Sequence, residues 1–255
     1  MNTLRCDFGD AIAEILVLGR CRSVQGMLLK ECQLENEFMA SAQKSLAQAI
    51  RERRSTPSFD GEPIPARDLQ QIIDAGLNAP SGYNMQPWRF IVVQHPEQRR
   101  RLRAACYNQA KVEEASVILV ACGDCDGWRK DLEEMLRLGR AAGMPESYAA
   151  QAAANVPSYM SAFSDEEMRG WLNKQVTIAV TSMMWMAEVL GYDTAMLEGF
   201  EQQGVCETLR LPMSYWVVSL LALGNLKGPD KFDGGRFEPS HTVFGEEYGK
   251  PLKLK

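Results

Sequence analysis

Two arginines and a hydroxyl stand side by side at the end of a predicted helix, in the run Arg53-Arg54-Ser55-Thr56-Pro57. Guanidinium groups bind phosphate through paired N–H donors, and a serine hydroxyl adds a neutral donor. Phosphate binding is therefore the chemistry that this segment can do. A basic pair is also common where a helix end simply faces solvent, so both interpretations stay open for the segment alone.

Three further segments suit a planar heteroaromatic ring. Residues 79–88 read APSGYNMQPW, in which two prolines stiffen a polar loop and Gly82 allows close approach of the backbone. Asn108 and Lys111 precede a predicted strand, where amide and ammonium groups can contact ring carbonyl oxygens. In the run MLEGF after another predicted strand, Gly199 can turn a backbone N–H towards a bound group. Taken singly, each segment is equally compatible with an ordinary turn.

Over most of the chain, the apolar residues follow either a helical or a strand periodicity, which predicts an α+β fold. Helices are predicted over 45–54, 65–77, 96–105, 128–142, 145–155 before Pro157, and 201–209. Strands are predicted over 88–94, 116–122, 192–197 and 215–223. We expect about four or five strands with helices on both faces, and the polar segments lie at the ends of these elements.

The longest predicted helix opens at Ser164, which forms a capping box with Glu167, and it runs to residue 190 before Gly191. Its second half is apolar on every side, so it must be covered all round. It is therefore a central helix or part of a subunit interface. After Gly224 the chain is rich in glycine, proline and charge and lacks core periodicity, which predicts an extended C-terminal arm.

The pattern becomes orderly only from residue 43, so we predict a single domain over 43–255 and an N-terminal extension over 1–42. The extension is either dispensable for activity or an extra helix over 9–20 that docks on the surface.

Composition excludes several classes of protein. The net charge of −5 and the pI near 5.3 argue against nucleic-acid binding, which needs a basic surface. The longest uncharged stretch near the middle, 175–187, is too short for a bilayer span, which needs about 18 apolar residues. No secretory signal is visible. We therefore expect a cytoplasmic protein without nucleic-acid or membrane partners.

Cysteine and histidine usage narrows the chemistry. The seven cysteines are odd in number and irregularly spaced, which favours reduced thiols over a disulfide framework. Cys122 and Cys125 have CxxC spacing without a second pair, so they are either two reduced cysteines at a strand end or a redox pair. Only two histidines are present, which argues against a metal site or a catalytic triad.

Read in order, these segments resemble the FMN-dependent nitroreductase family, and most closely its oxygen-insensitive NAD(P)H branch. The resemblance extends over residues 45–245 and leaves out 1–42. It implies a nitroreductase-like fold, in which helices flank a central, mostly antiparallel sheet. It also implies a homodimer with a long buried interface helix. The matching pieces are RRSTPSF at 53–59, APSGYNMQPWRFIVV at 79–93, YNQAKVEEASVILV at 107–120, WLNKQVTIAV at 171–180, LGYDTAMLEGFE at 190–201, and Arg236 in GGRFEP.

The resemblance also implies an FMN site assembled from distant segments. The residues it assigns to the phosphate are Arg53, Arg54, Ser55 and Arg236. Those it assigns to the isoalloxazine ring are Asn108, Lys111, Glu198 and Gly199, with Lys111 stabilising the reduced ring. Those it assigns to a loop reaching the flavin from the partner subunit are Pro80, Ser81 and Gly82, with Asn84 in the same loop.

The implied activity is ping-pong transfer of hydride from NAD(P)H through FMN to a small aromatic acceptor, a nitroaromatic or a quinone. FMN carries the chemistry, so no side chain is assigned as a catalytic acid or base; Lys111 and Glu198 support the ring. Tyr159 and Phe163 precede the long helix, and they either stack on substrate or pack in the core.

Two positions depart from the family pattern. Pro57 stands where relatives often carry a cation, which leaves the preference for NADH or NADPH open. Met196 replaces a proline beside the ring. The natural acceptor also stays open. The alternatives are a flavoenzyme of the same fold with a dedicated reaction, such as reduction of an activated alkene or ring oxidation, and a non-catalytic flavin-binding protein.

Overall fold

The computed structural model describes residues 44–229 and 231–253. The strands in this part of the chain are β1 (Trp88–Val93), β2 (Val117–Asp124), β3 (Asp193–Leu197) and β4 (Tyr215–Gly224). Its helices are α1 (Leu46–Glu52), α2 (Ala66–Leu77), α3 (Pro96–Ala105), α4 (Ala110–Glu114), α5 (Gly127–Lys130), α6 (Leu132–Ala141), α7 (Glu146–Met160), α8 (Asp165–Val189), α9 (Gln202–Leu209) and α10 (Pro239–Thr242).

The four strands form one sheet in the order β1-β2-β4-β3, and every neighbouring pair is antiparallel. The mostly antiparallel sheet predicted from the sequence is thereby confirmed. All eight residues of β2 are buried, and the first six, VILVAC, form a continuous apolar run. A bulge between Ala121 and Cys122 shifts the register against β4.

Each face of the sheet packs against its own helices. Because side chains alternate along a strand, Leu119 and Leu221 face one core while Val120 and Leu220 face the other. The first core also takes residues of α2 and α8, and the second takes residues of α3, α4 and α9. A third apolar cluster joins α6, α7 and the first half of α8.

The helix α8 has the start and the end that its sequence predicts. The Ser164 hydroxyl accepts from the Glu167 backbone N–H, and the Glu167 carboxylate accepts from the Ser164 N–H. Gly191 follows with a φ of 92°, a backbone angle that favours glycine after a helix end. Val180 and Met183 are fully buried, whereas Ile178 on another face is 42% exposed. Within one chain, therefore, the helix is covered on one side only.

Two helix predictions were wrong. The helix predicted over 145–155 extends through Pro157 to Met160, because Val156 and Met160 are buried in the third cluster and this packing outweighs the backbone hydrogen bond that proline removes. The single helix predicted over 128–142 is two helices, α5 and α6. They meet at Asp131, whose carboxylate accepts a hydrogen bond from Arg89 of β1.

The segment after β4, which we call the C-terminal arm, carries little regular structure. Besides α10, it contributes to two isolated bridges, Leu226 with Phe59 and Phe244 with Pro251, and several of its aromatic side chains are exposed. Residues from Lys44 onward group into one compact unit. The predictions for residues 1–42, including a helix over 9–20, lie outside the described residues. No helix in the described ranges is long and apolar enough to cross a membrane.

Candidate active site

A cleft of about 540 Å³ opens between the end of α1, the outer face of α8 and the C-terminal arm. Its volume lies within the usual range of small-molecule sites. Three of the four residues predicted to bind phosphate line it, although they come from opposite ends of the described chain. The lining residues are Ile50, Arg53, Ser55, Thr177, Thr181, Met184, Trp185, Met196 and Arg236.

The cationic end of the cleft is formed by Arg53, Ser55 and Arg236, which we call the phosphate grip. The Arg236 guanidinium donates to the backbone oxygen of Gly235 at 2.5 Å. Within residues 44–229 and 231–253, neither Arg53 nor Arg236 forms an ion pair with a carboxylate. Two guanidinium groups and a hydroxyl are thus available for an anionic ligand.

Arg54, the fourth residue predicted to bind phosphate, does not line the cleft and instead contacts the C-terminal arm. Its Nη2 lies 2.6 Å from the Asp233 carboxylate, and its Nη1 donates to the backbone oxygens of Arg51 and Arg53. The hydrogen bond from Arg54 holds the pKa of Asp233 below its usual value. Arg54 therefore anchors the arm near Arg236, while its buried Nε has no hydrogen-bond partner.

The turn that carries Arg53 and Ser55 is fixed from both sides. A capping box at Ser45 starts α1, and the helix ends at Glu52 directly before the turn. Beyond it, the Thr56 backbone N–H donates to the Thr194 oxygen of β3 at 3.0 Å, and Thr56 is fully buried. The position of the turn is therefore set by the sheet.

The second predicted group joins the start of α4 to the loop after β3. The Gln109 side chain donates to the Gly199 backbone oxygen at 2.8 Å, which brings the segment of Asn108 and Lys111 to that of Glu198 and Gly199. Asn108 has a left-handed φ of 56°. No hydrogen bond or ion pair within the described ranges engages the half-buried Lys111 ammonium or the exposed Glu198 carboxylate. Both charged groups are free to meet a ligand.

The third predicted segment is a rigid loop against α8. The Gly82 backbone N–H donates to Gln175 Oε1 at 2.8 Å, and Ser81 Oγ accepts from the Gln86 N–H at 2.9 Å. Asn84 and Gln86 both have left-handed φ angles, which cost free energy in residues other than glycine. Neither Pro80, Ser81, Gly82 nor Asn84 lines the cleft of the same chain.

Tyr159 and Phe163, predicted to contact substrate, pack against each other edge to face at a centroid distance of 4.8 Å. Phe163 also packs on the third apolar cluster, while Tyr159 at the end of α7 is exposed. Neither residue lines the cleft.

Sequence reasoning missed the α8 wall of the cleft. Thr177 and Thr181 lie one helical turn apart and place two hydroxyls beside the grip, and Met184 and Trp185 add apolar surface. Two threonines four residues apart, in the largely apolar second half of the helix, were the available signal.

The donor set fits FMN, which combines a phosphate dianion with a polyol chain and a large aromatic ring. The grip offers charge-assisted donors that no carboxylate of the described chain occupies, and the buried Arg54 Nε beside it lacks a partner. The remaining walls supply hydroxyls and apolar area.

Comparisons with known proteins agree with this geometry. The model of the nitroreductase family matches residues 50–225. An NADH dehydrogenase of Thermus thermophilus is 34% identical over 176 residues, which span 69% of this chain and 84% of that protein. A Staphylococcus saprophyticus protein named for NAD(P)H nitroreductase activity is 27% identical and covers 67% and 81% of the two chains.

Solved structures show the same fold. A Staphylococcus epidermidis protein described as an NAD(P)H:FMN oxidoreductase has a TM-score of 0.74 at 25% identity and covers 79% of this chain and 96% of its own. A nitroreductase-type protein of Exiguobacterium sibiricum in complex with FMN has a TM-score of 0.73 at 23% identity, covering 80% and 99%. The gut-bacterial enone reductase CLA-ER has a TM-score of 0.71 at 21% identity, covering 81% and 100%.

An antiparallel sheet flanked by helices, with an arginine-lined cleft beside its long helix, defines the class of protein to which these comparisons point. The chain belongs to the nitroreductase family. As a member it is an NAD(P)H-dependent oxidoreductase with FMN as its cofactor.

Proposed function

We propose that this enzyme passes hydride from NAD(P)H to nitroaromatics or quinones, with donor and acceptor using the same place in turn. The observation that carries the proposal is the convergence of Arg53, Ser55 and Arg236 on one cleft beside α8. Bound there, FMN would supply the hydride acceptor and donor that the amino acids lack.

The chain's own residues would bind and orient. Arg53, Ser55 and Arg236 would hold the phosphate through charge-assisted hydrogen bonds. Lys111, which has no partner among the described residues, would place a positive charge where electron density builds up on reduction. Asn108, Glu198 and Gly199 would contact the ring, and their segments are already tied together through Gln109.

We further propose that the site is completed in a homodimer. Pro80, Ser81, Gly82 and Asn84 do not line the cleft of their own chain, yet they sit on a rigid loop packed on α8. In a symmetric dimer built on the open face of α8, this loop would reach the partner's cleft. Preformed loop geometry would keep its donors in place without further ordering.

A spectroscopic experiment tests the function. The purified full-length protein should show flavin absorption and bleach with NADH or NADPH without oxygen, and a nitroaromatic or a quinone should restore the colour. Parallel lines in double-reciprocal plots would support the ping-pong order. Colourless protein that cannot be reconstituted with FMN contradicts the proposal.

Substitutions locate the cofactor. Arg53→Ala or Arg236→Ala should each raise the Kd for FMN about tenfold or more, since each removes a charge-assisted donor. The control is Arg137→Ala, because Arg137 pairs with Glu134 on α6 away from the cleft. An unchanged Kd in both cleft variants would place the phosphate elsewhere.

Reduction of an activated alkene is the second candidate activity. It is favoured by the fold shared with the enone reductase CLA-ER, a likeness that concerns the fold alone. The acceptor screen should therefore include an α,β-unsaturated ketone. A kcat/KM for the enone above those for the nitroaromatic and the quinone would make the alkene the preferred acceptor class.

A further inference from the structure

The first two residues of β3, Asp193 and Thr194, reach both halves of the phosphate grip. Thr194 is fully buried, and its backbone oxygen accepts from the Thr56 N–H at 3.0 Å. Thr56 directly follows Ser55, so this hydrogen bond fixes the turn that carries the first half of the grip.

The Thr194 side chain contacts a buried carboxylate, that of Glu188, which has no role in the proposed chemistry. The Thr194 hydroxyl donates to Glu188 Oε1 at 2.7 Å, and Glu188, in the last turn of α8, is only 1% exposed. The charged groups that face it are Lys231, Asp193 and Lys44. A carboxylate is costly to bury, and its hydrogen bond with Thr194 offsets part of that cost.

Asp193 holds the start of the arm that carries Arg236. One carboxylate oxygen accepts from the Leu226 backbone N–H at 2.7 Å, and the other pairs with Lys231. Both partners precede Arg236 in the same segment, and Leu226 also bridges to Phe59 on the other side. Asp193 therefore holds the arm that carries Arg236, and its neighbour Thr194 holds the turn that carries Arg53 and Ser55.

We propose that Glu188, Thr194 and Asp193 are positioning residues that hold the two halves of the phosphate grip in register, so that the cleft prefers phosphorylated flavins. The inference rests on the proposed function, because it takes the grip to bind the FMN phosphate. None of the three residues lines the cleft. They act through the Thr56 backbone and through the start of the arm.

A merely structural role would have a different signature. If the cluster only stabilised the core, its loss would weaken every flavin alike, or lower the melting temperature without changing ligand preference. If it positions the grip, its loss should weaken FMN and spare riboflavin, which has the same ring and polyol chain but no phosphate. The ratio of the two dissociation constants separates the two roles.

The experiment uses full-length protein freed of flavin, titrated with FMN and with riboflavin while flavin fluorescence is followed. Glu188→Ala and Asp193→Ala should each raise the Kd for FMN about tenfold, equivalent to about 1.4 kcal/mol, and change the Kd for riboflavin less than about twofold. Glu188→Gln keeps an acceptor for the Thr194 hydroxyl and should recover most of the affinity.

A matched control is Asp68→Ala, which removes the acceptor of the 2.6 Å hydrogen bond from the Tyr192 hydroxyl. That bond ties the residue before Asp193 to α2 and does not touch the grip, so the control should leave both dissociation constants unchanged. Equal weakening of FMN and riboflavin, or no weakening of FMN, in the Glu188 and Asp193 variants overturns the positioning role.

If Glu188→Ala does not fold, Asp193→Ala decides by the same criterion. Wild-type protein that binds FMN no more tightly than riboflavin overturns the proposed grip, and with it this inference. Wild-type protein that prefers FMN, together with variants that keep this preference, overturns the positioning role alone.

Discussion

The thiols of Cys122 and Cys125 have the spacing of a redox pair but not its environment. Cys122 is buried in the core between the sheet and α9, whereas Cys125 packs against the cluster formed by α6, α7 and α8. Burial raises the pKa of Cys122 to about 12, and burial also raises the pKa of Cys125. Nucleophilic attack and disulfide exchange require the thiolate, so this environment favours two inert thiols.

We predict that Cys122 does not react in the native protein. At pH 8 a thiol with that pKa has a thiolate fraction on the order of 10⁻⁴. Iodoacetamide followed by peptide mass mapping should find it unmodified until denaturant is added, and Cys122→Ala should reduce flavin at a rate within about twofold of wild type. A Cys122–Cys125 disulfide in oxidised protein, or loss of turnover in the variant, would contradict this expectation.

At the residue scale, the sequence predicted which side chains can bind phosphate but not how they divide the work. Arg53, Ser55 and Arg236 meet at the cleft, whereas Arg54 pairs with Asp233 in the arm. Which of two adjacent arginines faces a ligand depends on the direction in which the chain leaves α1, and that is set by Thr56 pairing with β3. Their role in binding FMN stays a prediction.

At the scale of elements, the capping box at the start of α8 offers a stability test. We predict that Ser164→Ala lowers the free energy of unfolding by about 1 kcal/mol, because the N-cap hydroxyl satisfies a free backbone N–H of the first turn. Urea denaturation measures the change, and Ser161→Ala, in the exposed loop before the helix, is the control. An effect no larger than that of the control would show that the cap is not needed to start the helix.

The capping box of Ser164 and Glu167 also predicts that the free energy of unfolding depends on pH. Hydrogen bonds from Ser164 hold the pKa of Glu167 below its usual value of 4.5. A carboxylate whose pKa is depressed in the folded state adds stability above its unfolded pKa and loses it as the pH falls through the folded value. The difference in unfolding free energy between wild type and Ser164→Ala should therefore narrow below about pH 4.5.

Local rules predicted the elements where they agreed with packing and failed where packing outweighed them. The start of α3 follows from Pro96 at its first position, and the end of α8 follows from Gly191. Proline rules would end α7 before Pro157, yet buried Val156 and Met160 carry the helix past it. Similarly, Asp131 interrupts a periodic stretch because its carboxylate serves Arg89, a partner distant in sequence.

At the scale of the whole molecule, the residues from Lys44 onward contain both faces of the sheet and the cleft. We therefore predict that a chain starting at Met39 folds, binds FMN and turns over like the full-length protein. Flavin content per mole and the kcat of both proteins measure this. An insoluble, flavin-free truncation product would instead assign residues 1–38 a structural role.

The exposed face of α8 bears on the oligomeric state, because a second copy of the chain could cover it. Its face at Ile178 is open, and arm side chains such as Phe232 and Tyr248 are 85% and 91% exposed. A symmetric dimer built on α8 would cover the helix and bring the loop at Ser81 to the partner's cleft.

We predict that Ile178→Glu converts dimer to monomer in light-scattering chromatography and lowers FMN occupancy in parallel, since a charge in an apolar interface is strongly unfavourable. Leu138→Glu, at a position 50% exposed on α6, should leave both unchanged. A wild-type monomer at micromolar concentration, or an Ile178→Glu monomer that keeps its flavin, would mean that each chain builds a complete site alone.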